Sequence, residues 1–426
     1  MATRVNSWYK QAYMFAAITN RLDSFFHLDT KKLLGRASYL LGSQAVSNLF
    51  SFAVALAAAY FISKETYGTY RYILSTLSFI GAFSLTGLGT PIIRSVARGY
   101  DHLFATSILR SLLWSIPAIL VGAGIGVWYL VHQNTVLGFS ILLGAIAFPT
   151  IQAFLWYRSY LNGKKYFRAL MKTNIAYSVL TSGAIIVTLL MRPSAITLVV
   201  VYCVANVLTL VVLTTIIRKK FRPNNLQDPE AGKLEHHMSL MNVLDIGATQ
   251  LDKIILFQVA GPIEVARYTF ATLLPEQLRN VLKYIPQLSM PIFASLPTDT
   301  AKSKGLFLVK KLFLVTIPIV IVYILVAPLA YKLLFPNYTE VIMYSQVFAL
   351  MLIFDGGISG TILKAKNKVQ SLYIVTVTSN IVRIILLVVF GFLWGIWGVI
   401  GSRIISRIIS FVVAYIAVRK IPVQAV

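Results

Sequence analysis

The chain has 426 residues, 57% of them hydrophobic and only 12% charged, with a mean hydropathy of +0.75. Soluble domains carry about 25% charged residues, so this composition excludes a soluble globular protein. A net charge of +25 would suggest nucleic acid as a partner, but long apolar runs interrupt the basic residues and no continuous basic surface forms, which excludes that class too. The single cysteine, Cys203, sits in an apolar run, and no Cys/His pattern has metal-ligand spacing, so neither a disulfide framework nor a metal or cofactor site is expected.

Residues 1–38 contain no signal-peptide pattern, and the aromatic, mildly amphipathic stretch 8–26 is expected to lie in the membrane interface. A membrane span needs roughly 20 apolar residues. Six such runs follow, at 39–62, 69–90, 109–131, 135–157, 170–191 and 195–217. A polar connection at 218–238, in which the adjacent His236 and His237 read as solvated loop residues, separates them from six more. These lie at 239–261, 268–293, 309–328, 341–363, 369–392 and 396–418. The expected fold is an all-α integral membrane protein of about twelve transmembrane helices. Its parts are a cytoplasmic or interfacial segment (1–38), a six-helix block (39–217), a cytoplasmic linker (218–238) and a second six-helix block (239–426).

Lys and Arg accumulate in short cytoplasmic loops. With the N-terminus inside, 28 of the 39 basic residues fall on the cytoplasmic side, while the outer side holds only Lys64, Arg71, Arg192, Arg267 and Lys332. One missed helix would scramble that pattern, so both termini are placed in the cytoplasm. Two blocks of six helices then enter the membrane in the same orientation, the layout of a parallel repeat. A faint echo supports it: the first outer turn of each block carries an acid and then a small-x-Tyr step, Glu65 with Gly68 and Tyr70, and Glu264 with Ala266 and Tyr268.

The remaining cations, Lys253, Arg279, Lys283, Arg383, Arg403 and Arg407, fall inside spans together with Asp245, Asp252, Glu276 and Asp355. Each charge facing lipid at the helix centre costs about 2.5–3.5 kcal/mol, so these must face a protein interior or a wet cavity. Helix spacing agrees. Glu276, Arg279 and Lys283 share one face of the eighth span, Asp245, Thr249 and Asp252 one face of the seventh, and Arg403 and Arg407 one face of the twelfth. Gln44 and Asn48 share a face of the first, from which they are expected to add hydrogen-bonding groups to the N-terminal half of a cavity. One reading is that the charges only pair with each other to hold helices together. The other starts from the excess of cation over carboxylate, which calls for an anionic substrate. Arg383, with no acid on its own helix, and the pair Arg403 and Arg407 best suit a phosphate. Asp252, Glu276 and Asp355 are the candidates for ion coupling. Pro117, Pro149, Pro275, Pro286, Pro291 and Pro318 fall within spans, where kinks border cavities or simply pack.

Several stretches resemble the polysaccharide transporter family of the MATE-like exporter superfamily, which includes Wzx-type O-antigen flippases. They are 85–94 (Leu-Thr-Gly-Leu-Gly-Thr-Pro-Ile-Ile-Arg), 251–256 (Leu-Asp-Lys-Ile-Ile-Leu) with Tyr268, 333–338 (Leu-Leu-Phe-Pro-Asn-Tyr) and 395–401 (Gly-Ile-Trp-Gly-Val-Ile-Gly). The resemblance implies two six-helix lobes around a central cavity and alternating access. It also implies export of an undecaprenyl-diphosphate-linked oligosaccharide across the bacterial inner membrane, coupled to a proton or sodium gradient. Membrane lipids, a polysaccharide polymerase and chain-length proteins are the further partners implied. On this reading Arg279, Lys283, Arg383, Arg403, Arg407, Gln44 and Asn48 line the substrate cavity, and the protein is not an enzyme.

A multidrug exporter of the same superfamily is an alternative, but the positive excess disfavours cationic substrates. A lipid II flippase is a second, although that branch resembles proteins with more spans. A membrane glycosyltransferase or polymerase would need catalytic groups on a sizeable loop, and the short outer loops carry none. The topology is directly checkable: reporter fusions after Lys165, Lys220 and Lys366 should report cytoplasm, and those after His132 and Asn337 the opposite side. An external signal at Lys220 would break the twelve-span arrangement.

Overall fold

In hydrocarbon no water reaches the backbone, so a spanning chain must satisfy its own amides, as an α-helix does. The computed structural model of the protein describes residues 30–420 except 85, 192, 229–230, 284–285, 287–288, 291–292, 295, 356 and 367–368; for 30–38, 40–41, 231–241 and 369 it describes the backbone alone. The interfacial stretch 8–26 and Pro291 lie outside the described residues. Every regular element among those described is helical.

The first block contains α1 (Thr30–Phe61), α2 (Lys64–Gly81), a 3-10 turn (Thr86–Leu88), α3 (Gly89–Ala97), α4 (His102–Trp114) and α5 (Ile116–Val131). It continues with α6 (Thr135–Phe154), α7 (Tyr157–Gly163), α8 (Phe167–Leu190) and α9 (Ala195–Phe221). Polar residues fix several starts. Ser63, Asn134 and Ser194 each accept a hydrogen bond from the backbone N–H three residues on, at 3.1, 3.1 and 3.3 Å. The Ser63 cap starts α2 at Lys64, ahead of the expected 69, which puts Arg71 two turns inside the helix and not at its outer end. After Gly81 the direction changes by 73° into the segment Thr86–Ala97.

The second block contains α10 (Ala231–Leu282), α11 (Thr298–Leu334), a 3-10 turn (Pro336–Val341), α12 (Ile342–Ala349), a 3-10 turn (Leu350–Phe354), α13 (Ile358–Ala365) and α14 (Val369–Arg419). Two expectations need correction. His236 and His237 lie within α10, because that helix starts at Ala231 inside the expected linker. The tenth span is not one helix: it unwinds around Asp355 and Gly357, the latter at φ 57°.

At 52 and 51 residues, α10 and α14 would each extend about 75 Å if straight, far beyond a bilayer core of about 30 Å. Both fold back at a glycine in a conformation that L side chains avoid, Gly261 (φ 82°, ψ −178°) and Gly395 (φ 53°, ψ −128°). Tyr268 Oη donates to Asp252 Oδ2 at 2.7 Å, and Ser402 Oγ to the Leu386 carbonyl at 2.8 Å. Each pair is 16 residues apart, a separation of about 24 Å along a straight helix. By length and composition eight stretches of described helix can cross a membrane, or nine with the bent pair of α2 and α3. Those eight take α14 whole and omit α10, whose limbs carry the internal charges. The expected twelve exceeds the nine by three, and the difference lies in the limbs of α10 and α14. Leu120, Leu208, Leu314 and Leu325 stand far out of the protein, as a lipid-facing surface requires.

The two blocks pack along α2 and α10. Tyr72 stacks on Phe257 with centroids 3.8 Å apart, and Gln258 Nε2 donates to the hydroxyls of Tyr72 and Tyr129 at 3.1 and 3.0 Å. At the end with few basic loops, the two turns that echo each other in sequence come together. Lys64 bonds Glu340, Arg267 pairs with Glu264 and lies 3.5 Å from Glu340, and Asn337 Nδ2 donates to the Ala59 carbonyl at 3.1 Å. A Cβ on Gly68 would stand 1.8 Å from the Pro262 carbonyl oxygen, so the approach depends on glycine. Gly68→Ala should therefore cost about 1–3 kcal/mol or more and lower the thermal unfolding temperature of the purified protein. Gly183→Ala, where nothing lies within 4 Å of the added carbon, is the matched control and should leave it unchanged or raised.

Candidate functional site

The fold-back of α10 sets Tyr268 against Asp252, and that of α14 brings Arg403 within reach of both limbs of α10. Arg403 Nη1 lies 3.2 Å from Asp252 Oδ2 and Nη2 lies 2.9 Å from Glu276 Oε1. Arg279 Nη1 lies 3.1 Å from Glu276 Oε2, while its Nε donates to Asp355. Arg407 Nη1 reaches Asp355 Oδ1 at 3.1 Å, and Lys253 Nζ lies 3.7 Å from Asp252 Oδ1. Each of Asp252, Glu276 and Asp355 thus meets two cations. Arg279, Arg403 and Arg407, expected on the wall of a cationic cavity, are also ion-paired: Glu276 lies three residues from Arg279 on one helix, while the other acids come from segments distant in sequence.

These groups border a cavity of about 450 Å³ lined wholly by the second block. Arg279, Lys283, Arg383, Arg403 and Arg407 all stand on its wall, as do Asp245 and Asp355. Asp252 is fully buried behind the wall, beneath Tyr268. Among the described residues, the hydrogen-bond partner of Lys283 Nζ is Asn280 Oδ1, at 3.3 Å. Arg383 differs from the other arginines: its Nε and Nη2 are screened from solvent and have no hydrogen-bond partner among the described residues. Ser379 Oγ, Asn380 Nδ2 and Ser359 Oγ are orphaned in the same way and line the same cavity. A buried donor without a partner costs about 1–3 kcal/mol, so four such residues around one space form a donor-rich wall suited to an anion.

The sequence reading found Arg383 but missed Ser359, Ser379 and Asn380. Thr376, Ser379, Asn380 and Arg383 recur at helical spacing within an apolar run, which was a readable signal. The break beside Asp355 was also readable, from Asp355-Gly356-Gly357. Such interruptions are tolerated at membrane depth where they line a cavity.

Gln44 and Asn48 are not brought to this cavity. Gln44 Nε2 donates to Asn48 Oδ1 at 3.0 Å, and neither residue lines the second cavity, of about 300 Å³, which lies in the first block. One turn further along α1, Ser51 does line it. So do Arg71, counted from sequence as an outer-loop charge, and Gln250 from α10. The first limb of α10 partitions the two spaces, with Thr249 facing one and Gln250 the other.

The sequence profile of a family described as polysaccharide biosynthesis protein matches residues 55–342. The chain belongs to that family. The match stops short of Arg383, Arg403 and Arg407, so those cavity residues lie beyond it. No curated protein matches the sequence at a significant level. Among solved structures, the lipid II flippase MurJ in an inward closed conformation superposes with a TM-score of 0.66 at 14% identity, over 90% of this chain and 88% of that one. An inward-facing multidrug resistance MATE transporter of the MOP superfamily gives 0.60 at 16% identity, over 88% and 94%. A MOP superfamily transporter from Pyrococcus furiosus, described as having a binding pocket of reverse polarity, gives 0.51 at 13%, over 90% and 92%. This member of the polysaccharide biosynthesis family is therefore a multi-pass membrane protein with the MATE-like transporter fold.

Within that fold the buried ion network ties both limbs of α10 to α14. Removing one partner of a buried pair costs about 3–5 kcal/mol because the other charge is left uncompensated. Asp252→Ala, which leaves Lys253 without its acid and Arg403 with Glu276 alone, should sharply lower the amount of folded protein recovered from membranes. Adding Lys253→Met should restore much of it, and an unchanged yield in the single variant would mean the network holds nothing together.

Proposed function

We propose that the protein is a flippase that carries an undecaprenyl-diphosphate-linked oligosaccharide, an O-antigen or other surface polysaccharide repeat unit, across the bacterial inner membrane by alternating access. The observation that carries this reading is the donor-rich wall of Arg383, Ser359, Ser379 and Asn380, which lies in one cavity with Lys283 and Arg407. Guanidinium, amide and hydroxyl donors in a low-dielectric cavity suit a diphosphate, and a cationic drug would meet repulsion there. Membership of a polysaccharide biosynthesis family and the likeness to a lipid II flippase agree with a lipid-linked substrate. The cavity residues lie toward the ends of their helices that carry the basic loops, so by the positive-inside rule the headgroup enters from the cytoplasm, where both termini lie. The protein acts as a carrier and not as an enzyme, and delivers its cargo to a polysaccharide polymerase and chain-length proteins on the outer face.

Coupling to a proton or sodium gradient falls in this reading to Asp355 and Glu276. Both carboxylates have partial access while paired to cations, and Asp355 sits at the break of the tenth segment. Asp252, sealed behind Tyr268, is poorly placed to exchange an ion.

One transport assay in a strain lacking its native flippase tests both parts. Arg383→Lys keeps the charge but loses the fork, and should reduce surface polysaccharide. Arg383→Gln should lower transport by roughly tenfold to a hundredfold at equal protein levels, since a hydrogen bond to a charged group is worth about 1.5–3 kcal/mol. Asp355→Asn should make residual transport insensitive to collapse of the ion gradient. Normal polysaccharide with Arg383→Gln overturns the headgroup site, and an unaltered gradient dependence in Asp355→Asn removes that residue from coupling.

A further inference from the structure

The smaller cavity, in the first block, has a wall chemistry unlike that of the cationic one. At about 300 Å³ it falls at the lower end of the ~300–1,000 Å³ common for small-ligand sites, room for a sugar unit and not for a whole lipid-linked repeat. Tyr70, Tyr177 and Tyr202 line it with Asn206 and Gln250, alongside serine and threonine hydroxyls. The wall contains no carboxylate, and its one charged residue is Arg71. Arg71 Nε is screened from solvent without a hydrogen-bond partner among the described residues. Lys253, a like charge within electrostatic reach, is itself committed to Asp252.

Much of the wall is held in place before any ligand arrives. The Tyr177 hydroxyl donates to Asn206 Oδ1, and Asn206 Nδ2 donates to the Tyr202 carbonyl at 2.7 Å. The Tyr70 and Tyr202 rings meet edge to face with centroids 6.5 Å apart. Tyrosines offer flat apolar faces with polar tips, which match the C–H faces and hydroxyl rims of a pyranose. An unpaired guanidinium matches a carboxylate in a two-point contact.

From this combination we propose that the cavity is a second substrate subsite that takes a carboxylate-bearing sugar of the carried oligosaccharide, with the carboxylate on Arg71. The proposal rests on the lipid-linked oligosaccharide reading and divides the headgroup between the blocks, diphosphate at Arg383 and acidic sugar at Arg71. A phosphate would also suit Arg71, but it would leave the tyrosine rings and amides without a role.

The test is calorimetric titration of the purified full-length protein in nanodiscs with glucuronate, glucose and pyrophosphate, each separately. The wild type should prefer glucuronate over glucose by about tenfold or more, the worth of one charge-assisted contact. Arg71→Gln should erase that preference and Arg71→Lys should reduce it, while both retain pyrophosphate affinity. Arg383→Gln should lose pyrophosphate affinity and keep the glucuronate preference. If Arg71→Gln fails to fold, the Arg71→Lys result decides, since it leaves a cation in place. Equal or absent binding of the two sugars by wild type, an intact preference in Arg71→Lys and Arg71→Gln, or loss of pyrophosphate in their place each overturns the subsite. If pyrophosphate does not bind wild type while the Arg71-dependent preference holds, the diphosphate site fails and this one stands.

Discussion

A charge moved into hydrocarbon costs several kcal/mol unless it meets an opposite charge or water, and the second block of this protein is organised around that cost. Six cations and four carboxylates occupy its spans, and most resolve into one network running from Lys253 through Asp252, Arg403, Glu276 and Arg279 to Asp355 and Arg407. Arg403 alone ties both limbs of α10 to α14. The hairpins at Gly261 and Gly395 make the network geometrically possible, and the network in turn holds the hairpins closed. What remains after pairing is Arg383 with Ser359, Ser379 and Asn380, which line the cavity and carry buried polar atoms without a partner among the described residues.

The first limb of α10 is the mechanical centre of this arrangement. Successive helix residues point about 100° apart, so Thr249 and Gln250 face different cavities while Asp252 and Lys253 belong to the network between them. A ligand that draws on Arg71 or on Arg383 alters the electrostatics of the same short segment. The unwound stretch around Asp355 supplies a second place for movement, since its carboxylate is shared by Arg279 and Arg407 from two other helices. Such a break between packed helices is the kind of element that can adopt two arrangements.

The sequence by itself determined the class of protein, the approximate helices and the faces on which their charges lie, because hydropathy and helical spacing are local properties of the chain. It also singled out Arg383 as a cation with no acid on its own helix, and its Nε and Nη2 have no hydrogen-bond partner among the described residues. Tertiary structure decided the rest. Arg279 meets Glu276 within one turn but reaches Asp355 across 76 positions, and Arg403 reaches Glu276 and Asp252 across 127 and 151, so no short window of sequence reveals the network as a whole. Arg71 lines a cavity, and Gln44 and Asn48 bond each other outside it. Spacing along one helix says which residues share a face. Only the packing of several helices says whether that face meets a partner, lipid or an empty space, because that depends on groups brought together from distant parts of the chain.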